Sequence, residues 1–152
     1  GDVYKRQLHD SKSYNYAHVG VYFGILGLLT GMFWAKYTWG TYWTNDPKLN
    51  GSAIGLLIYF GYFILRSSIE DESKKGKISS VYNVFAFSML IPLIFILPRL
   101  TDSLHPGNGG NPGFNVYDMN SQLRLVFYPA VTGFIFLGLW ISDLRLKMLK
   151  LK

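Results

Sequence analysis

Four stretches of this chain carry no aspartate, glutamate, lysine or arginine: residues 17–35, 51–65, 78–98 and 125–142. Charged residues close them, at Lys36, Arg66, Arg99 and Asp143. A helix that crosses a bilayer needs about 20 mostly apolar residues, within a range of about 17–25. The first, third and fourth stretches meet that length. The second meets it when Lys48 and Arg66 lay their aliphatic stems along the helix and hold their charges toward water. A buried helical bundle in a soluble protein is the competing reading, but so many uncharged stretches in 152 residues weigh against it. Composition points the same way. Charged residues make up 16% of the chain, against about 25% in an ordinary soluble domain. The expected fold is therefore all-α, an integral membrane bundle of four transmembrane helices. It forms a single domain over residues 1–152, with helices near 17–36, 50–66, 78–98 and 124–144.

The basic residues assign the sides. Lys5, Arg6 and Lys12 precede the first stretch, Arg66, Lys74, Lys75 and Lys77 lie between the second and third, and Arg145, Lys147, Lys150 and Lys152 close the chain. These make eleven of the fifteen Lys and Arg residues. The other two connections hold Lys36, Lys48, Arg99 and Arg124. Cytoplasmic loops collect Lys and Arg, so both termini are expected in the cytoplasm, with residues 37–50 and 100–122 on the outer face. The net charge of +6 is thus a topology signal, and no nucleic-acid partner is expected. Residues 1–7 resemble a translated sequencing adaptor and are expected to be non-native, with the true protein beginning further upstream. No signal peptide is visible.

Gly20, Gly24, Gly27 and Gly31 fall near one face of the first helix. The favoured reading is close helix–helix packing; a slot for a cofactor is the other. Pro92 and Pro129 are expected to kink or loosen their helices.

The chemistry-bearing residues lie in the two outer connections. Trp39-Gly40-Thr41-Tyr42-Trp43-Thr44-Asn45-Asp46-Pro47-Lys48-Leu49 gathers three aromatic rings, a carboxylate and a lysine. Placed at a membrane surface, such a wall suits a flat, apolar, anionic cofactor, and haem is the obvious candidate. The second connection, residues 99–114, is rich in Gly, Asn and Pro and carries His105. Of the three histidines, His9 reads as a solvated tail residue and His18 as a capping or interfacial residue at the start of the first helix. By chemistry alone, His105 is as much a candidate ligand as a polar loop residue. An imidazole there could coordinate haem iron while neighbouring rings shield the macrocycle. A structural zinc site would want four ligands, and no other His or Cys stands nearby. With no cysteine in the chain, thiolate sites and covalent haem attachment drop out. Asp46, Asp102 and Asp118 could do acid–base work only if two of them met. No Ser-His-Asp order, phosphate loop or metalloprotease helix is present.

These residues meet a family. Residues 39–49 resemble the tryptophan-rich "WWD" signature of the haem-handling proteins of cytochrome c maturation, the CcmC/CcsA type, which reads approximately W-G-x-x-W-x-W-D-x-R-L-T. Leu28-Leu29-Thr30-Gly31-Met32-Phe33-Trp34-Ala35-Lys36 looks like the helix that leads into it, and Ser103-Leu104-His105 looks like the family's outer-loop histidine. Asn45 stands at the third tryptophan position, Tyr42 at the middle aromatic and Lys48 at the arginine. The stacking surface is thereby smaller, and a bidentate contact to a propionate becomes a point-charge contact.

The resemblance implies a carrier rather than an enzyme, binding non-covalent b-type haem in the bacterial inner membrane with its site on the periplasmic face. His105 would be an axial iron ligand. Trp39, Tyr42 and Trp43 would flank the macrocycle, and Asp46 and Lys48 would orient the loop or contact propionates. Asp102, three residues before His105, is the nearest acceptor in sequence for its second ring nitrogen. The implied partners are a haem chaperone or components of a cytochrome c synthase, beside membrane lipid. Small members of the family have six helices, so this chain is expected to be the last four of six, with the second axial histidine upstream. The alternatives are a transporter or permease subunit without a cofactor, and the haem lyase step within a larger synthase.

Overall fold

The computed structural model describes residues 2–105 and 119–150. Every regular element among them is helical: α1 (Asp2–Trp39), α2 (Pro47–Ser68), α3 (Glu72–Leu90), a π-helical segment (Ile91–Ile96), the short α4 (Leu97–Leu100) and α5 (Ser121–Lys150). Four helical runs are long and apolar enough to cross a membrane: Lys5–Trp39, Pro47–Ser68, Glu72–Leu100 and Ser121–Leu149. The all-α, four-span reading of the sequence holds.

Helix α1 starts well before residue 17. No Gly or Pro interrupts residues 2–19, so nothing in the polar segment breaks the helix that the apolar segment continues. His9 and His18 accordingly sit within α1 rather than in a tail or at a helix start. Its end is local chemistry. Gly40 adopts φ 81°, a left-handed conformation that costs a glycine little. Its N–H closes on the Lys36 carbonyl at 3.1 Å, and Lys36 Nζ reaches the Gly40 carbonyl at 2.8 Å. Helix α2 opens on Asp46 as N-cap and Pro47 at its first turn, the proline losing only an N–H that the helix start would leave unpaired anyway. Asp71 caps α3 in the same way, accepting from the Ser73 N–H at 2.9 Å.

Pro92 does more than kink its helix. It cannot donate to the ladder, and the chain answers with a full π-helical segment, closed by the Leu97 N–H on the Pro92 carbonyl. Pro129, by contrast, lies inside an uninterrupted α5.

Helices α1 and α5 run antiparallel, joined by Asn15 Nδ2 donating to the Ser142 carbonyl at 2.7 Å and by Phe23 against Phe134 and Gly138. Helix α2 packs antiparallel on α1 through Leu56 at Gly24, and on α3 through Tyr82 at Gly61 and Leu90 at Gly55. At the end where the chain termini lie, Arg66 pairs with both carboxylate oxygens of Asp10 and stacks over the Tyr14 ring. Large apolar residues such as Leu125, Phe136 and Trp140 are exposed on the outside of the bundle. Patches of that size are not left to water in soluble proteins, whereas lipid accepts them while each helix satisfies its own backbone.

The glycines of α1 do not behave as the packing reading expects. A β-carbon at Gly20, Gly27 or Gly31 would meet nothing within 4 Å. With Gly24 they line a groove of about 950 Å³ between α1, α2 and α3, reaching from His9 and Lys12 at one end to Lys48 and His105 at the other.

Candidate functional site

The end of the bundle opposite the termini gathers the C-terminus of α1, the turn at residues 40–46, the start of α2 and the segment after α4. Asp46 is at its centre, and the reason begins with the helix it caps. Its Oδ1 accepts from the N–H groups of Lys48 at 2.9 Å and Leu49 at 3.2 Å, satisfying two of the donors that any helix start leaves open. The same oxygen takes the His105 Nδ1 at 2.9 Å. Its Oδ2 accepts from Ser103 Oγ at 2.9 Å and from the Leu104 N–H at 2.7 Å. One carboxylate thus fastens the segment after α4 to the first turn of α2.

Asp46 is 3% exposed. Burial, the largest single influence, pushes its carboxyl up. The Leu104 N–H, the Ser103 hydroxyl, the Leu49 N–H and the charge on His105 together outweigh it and hold the group below the usual carboxylate value. Asp46 is therefore an acceptor at neutral pH.

Aromatic rings stand on the imidazole. Trp39 meets His105 edge-on, with centroids 5.1 Å apart, and Trp34 lies 6.5 Å from His105 and 4.9 Å from Trp39. The His105 side chain is 23% exposed. Among the described residues no hydrogen bond engages its Nε2.

The sequence-derived site residues separate into two groups. Trp39, Asp46 and His105 converge, and Lys48 lines the same groove as His105. Tyr42 and Trp43 stand apart from the imidazole. Tyr42 packs against Phe33 with Lys36 over its ring, and Trp43 Nε1 donates to Asn50 Oδ1 at 3.2 Å. Asp102 is exposed, and the acceptor for His105 is Asp46 instead. Sequence distance misled here, because the turn after α4 carries the imidazole back toward α2. Asp118 lies outside the described residues. Trp34 and Ser103, which the sequence marks only as members of the leading helix and of the histidine motif, also contribute, Trp34 beside the imidazole and Ser103 on Asp46 Oδ2. The signal for Asp46 was present in Asp46-Pro47, a cap followed by proline at the first helical position. His18 is enclosed by Tyr14, Tyr22 and Phe63, and its Nδ1–H donates to the Tyr14 carbonyl of its own helix at 3.0 Å. Among the described residues no group of three His, Asp or Glu side chains is arranged to hold a metal ion.

Fold and site define a polytopic helical membrane protein with an imidazole, a carboxylate and tryptophan rings assembled at one end of the bundle. The model of the cytochrome c assembly protein family matches residues 2–105, and the chain belongs to that family. It is 26% identical over 149 residues to heme exporter protein C of Bradyrhizobium diazoefficiens, covering 97% of this chain and 56% of that protein. It is 26% identical to heme exporter protein C of Haemophilus influenzae over 140 residues, 90% of this chain and 54% of that one. For the Escherichia coli K12 protein of the same name the figures are 27% over 133 residues, 88% and 52%. The chain spans about half the length of these curated relatives. No solved structure matches it.

Proposed function

We propose that this protein handles haem in cytochrome c biogenesis, holding it at the outer membrane face and presenting it to a maturation partner. The observation that carries the reading is the meeting of Trp39, Asp46 and His105 at one end of the bundle, in a chain of the cytochrome c assembly family. The name heme exporter protein C on its relatives supports the ligand class.

The residues present fit such a group. A partly exposed imidazole has one nitrogen engaged by a carboxylate and the other without a partner among the described residues. Tryptophan rings stand beside it, and an apolar groove with Lys48 at its mouth opens next to it. A bound haem would supply an iron that an imidazole nitrogen can ligate. His105 would be that ligand, Trp39 and Trp34 would exclude water from one side of the imidazole, and Lys48 would attract a propionate as a point charge. Tyr42 and Trp43 would act further out, as an amphipathic rim at the lipid headgroups. Both termini would be cytoplasmic and the site periplasmic, in the bacterial inner membrane. A haem chaperone or cytochrome c synthase components would receive the non-covalently held b-type haem.

The test is a haem absorbance spectrum of the protein purified in detergent. A Soret band that His105→Ala removes is expected. A protein that inserts normally and takes up no haem would favour the cofactor-free permease reading.

A further inference from the structure

We infer that Asp46 is the positioning residue for His105, fixing the imidazole proton on Nδ1 and leaving Nε2 as the nitrogen free to meet a ligand; this rests on the haem-holding reading only for the identity of that ligand.

An ionised carboxylate accepts and cannot donate. The 2.9 Å contact between His105 Nδ1 and Asp46 Oδ1 therefore requires the proton on Nδ1. A free histidine side chain in water prefers the opposite tautomer, with the proton on Nε2, so the preference has to come from the protein. The contact is well built for that purpose. The Asp46 carboxylate cannot swing away, because both oxygens are already held, Oδ1 by the Lys48 and Leu49 N–H groups and Oδ2 by Ser103 and Leu104. Its side chain is 1% exposed, which keeps water from competing for it. Ring contacts with Trp39 and Trp34 limit rotation of the imidazole.

The imidazole contact is also more than a fastener. Ser103 and Leu104 already bind the segment to Oδ2, and the His105 N–H itself donates to Ser103 Oγ at 3.2 Å. The segment is secured without the ring. What the ring gains from Oδ1 is a defined tautomer and direction, and a carboxylate behind a ligating imidazole also raises its basicity toward a metal.

The experiment uses the full chain in detergent micelles, labelled with nitrogen-15 histidine and free of haem. Two-bond nitrogen–proton correlation spectra at pH 8 identify each tautomer, and His105→Ala assigns the signal. The expected result is an Nδ1–H imidazole at His105 in the wild type. In Asp46→Gly, which leaves no acceptor beside the ring, that form is lost in favour of Nε2–H. Glycine is tolerated at an N-cap, so the start of α2 survives the change. Ser103→Ala, which loses a hydroxyl on the same carboxylate, keeps the Nδ1–H form. An Nε2–H imidazole in the wild type, or an unchanged tautomer in Asp46→Gly, overturns the inference. So does a Ser103→Ala spectrum that shifts as far as Asp46→Gly, since that would make the effect one of docking alone. A second readout uses the ferrous haem-loaded protein, in which Asp46→Asn should lower the iron–histidine stretching frequency and Ser103→Ala should not. Loss of the Soret band in His105→Ala tests the haem reading separately. If the band stays while the tautomer behaves as expected, the haem reading fails and the role of Asp46 stands.

Discussion

Gly51 lies against the backbone of Leu93: a β-carbon on it would stand 2.3 Å from the Leu93 carbonyl oxygen. The obstacle is backbone, within the π-helical segment, and cannot rotate aside. Gly51→Ala should therefore part α2 from that segment at a cost of about 1–3 kcal/mol, the range for overpacking a tight interior. Gly27→Ala, where a β-carbon meets nothing within 4 Å, is the matched control and should cost nothing measurable. Reversible unfolding in mixed micelles compares the two; equal midpoints would contradict the close approach.

Removing the central carboxylate has a larger reach. Asp46→Ala deletes an N-cap, a loss of about 0.5–2 kcal/mol, and strands the donors of Ser103, Leu104 and His105. Each buried donor left unmet adds about 1–3 kcal/mol. The segment after α4 should come loose while the four long helices stay inserted. Limited proteolysis at residues 101–105 should become fast in this variant and remain slow in Ser52→Ala, whose hydroxyl bonds only the Lys48 carbonyl.

The same carboxylate sets an acid limit. Its folded-state value lies below the ordinary one, so its contribution is full above the ordinary carboxylate range and is lost as pH falls through the depressed folded value. Docking of the segment after α4 on Asp46, read by limited proteolysis at residues 101–105 with an acid-tolerant protease, should hold above the usual carboxylate value and fail only below it. A transition centred near neutrality would point to a different group.

Trp39 and Trp43 should separate in their effect on haem. Trp39 touches the imidazole, whereas Trp43 is tied to Asn50. Trp39→Ala should weaken haem retention roughly tenfold, the equivalent of about 1.4 kcal/mol, which lies in the range of a lost aromatic contact. Trp43→Ala should change it less, and His18→Ala, enclosed among the rings of α1 and α2, should leave the spectrum as it is. Dissociation to an excess of apomyoglobin measures all three.

Membrane sidedness can be read by single cysteines, since the chain has none of its own. A cysteine at exposed Thr101 should label from the periplasm and one at exposed Ser73 from the cytoplasm. The reverse pattern would invert the orientation and remove the site from the outer face.

The helices were legible because lipid imposes a simple condition on sequence: about 20 residues without charge. That condition says where a helix must be, not where it stops. The start of α1 was misplaced for this reason, as a polar segment with no breaker can extend a helix into water at little cost. The site was legible in part. The tryptophan segment and His105 stood out by composition, but the contact at its centre joins residues 59 apart, and local reading favoured the wrong aspartate. The division of the aromatics was hidden for a similar reason. Gly40 turns the chain after Trp39, so Tyr42 and Trp43 leave the face that Trp34 and Trp39 share.

The widened turns at residues 91–96 have a consequence for how such a chain can change over time. A π segment holds one more residue than α geometry needs over the same length. Deleting a single residue there would let the helix close up toward α geometry, lacking only the bond that Pro92 cannot donate, yet everything after it would turn by about 100°, the arc of one residue in a 3.6-residue turn. Ser103 and His105 follow that segment within a dozen residues. The imidazole would then be carried off Asp46 by a lesion that leaves every spanning helix whole, so a length change at this point would act on aim rather than on folding.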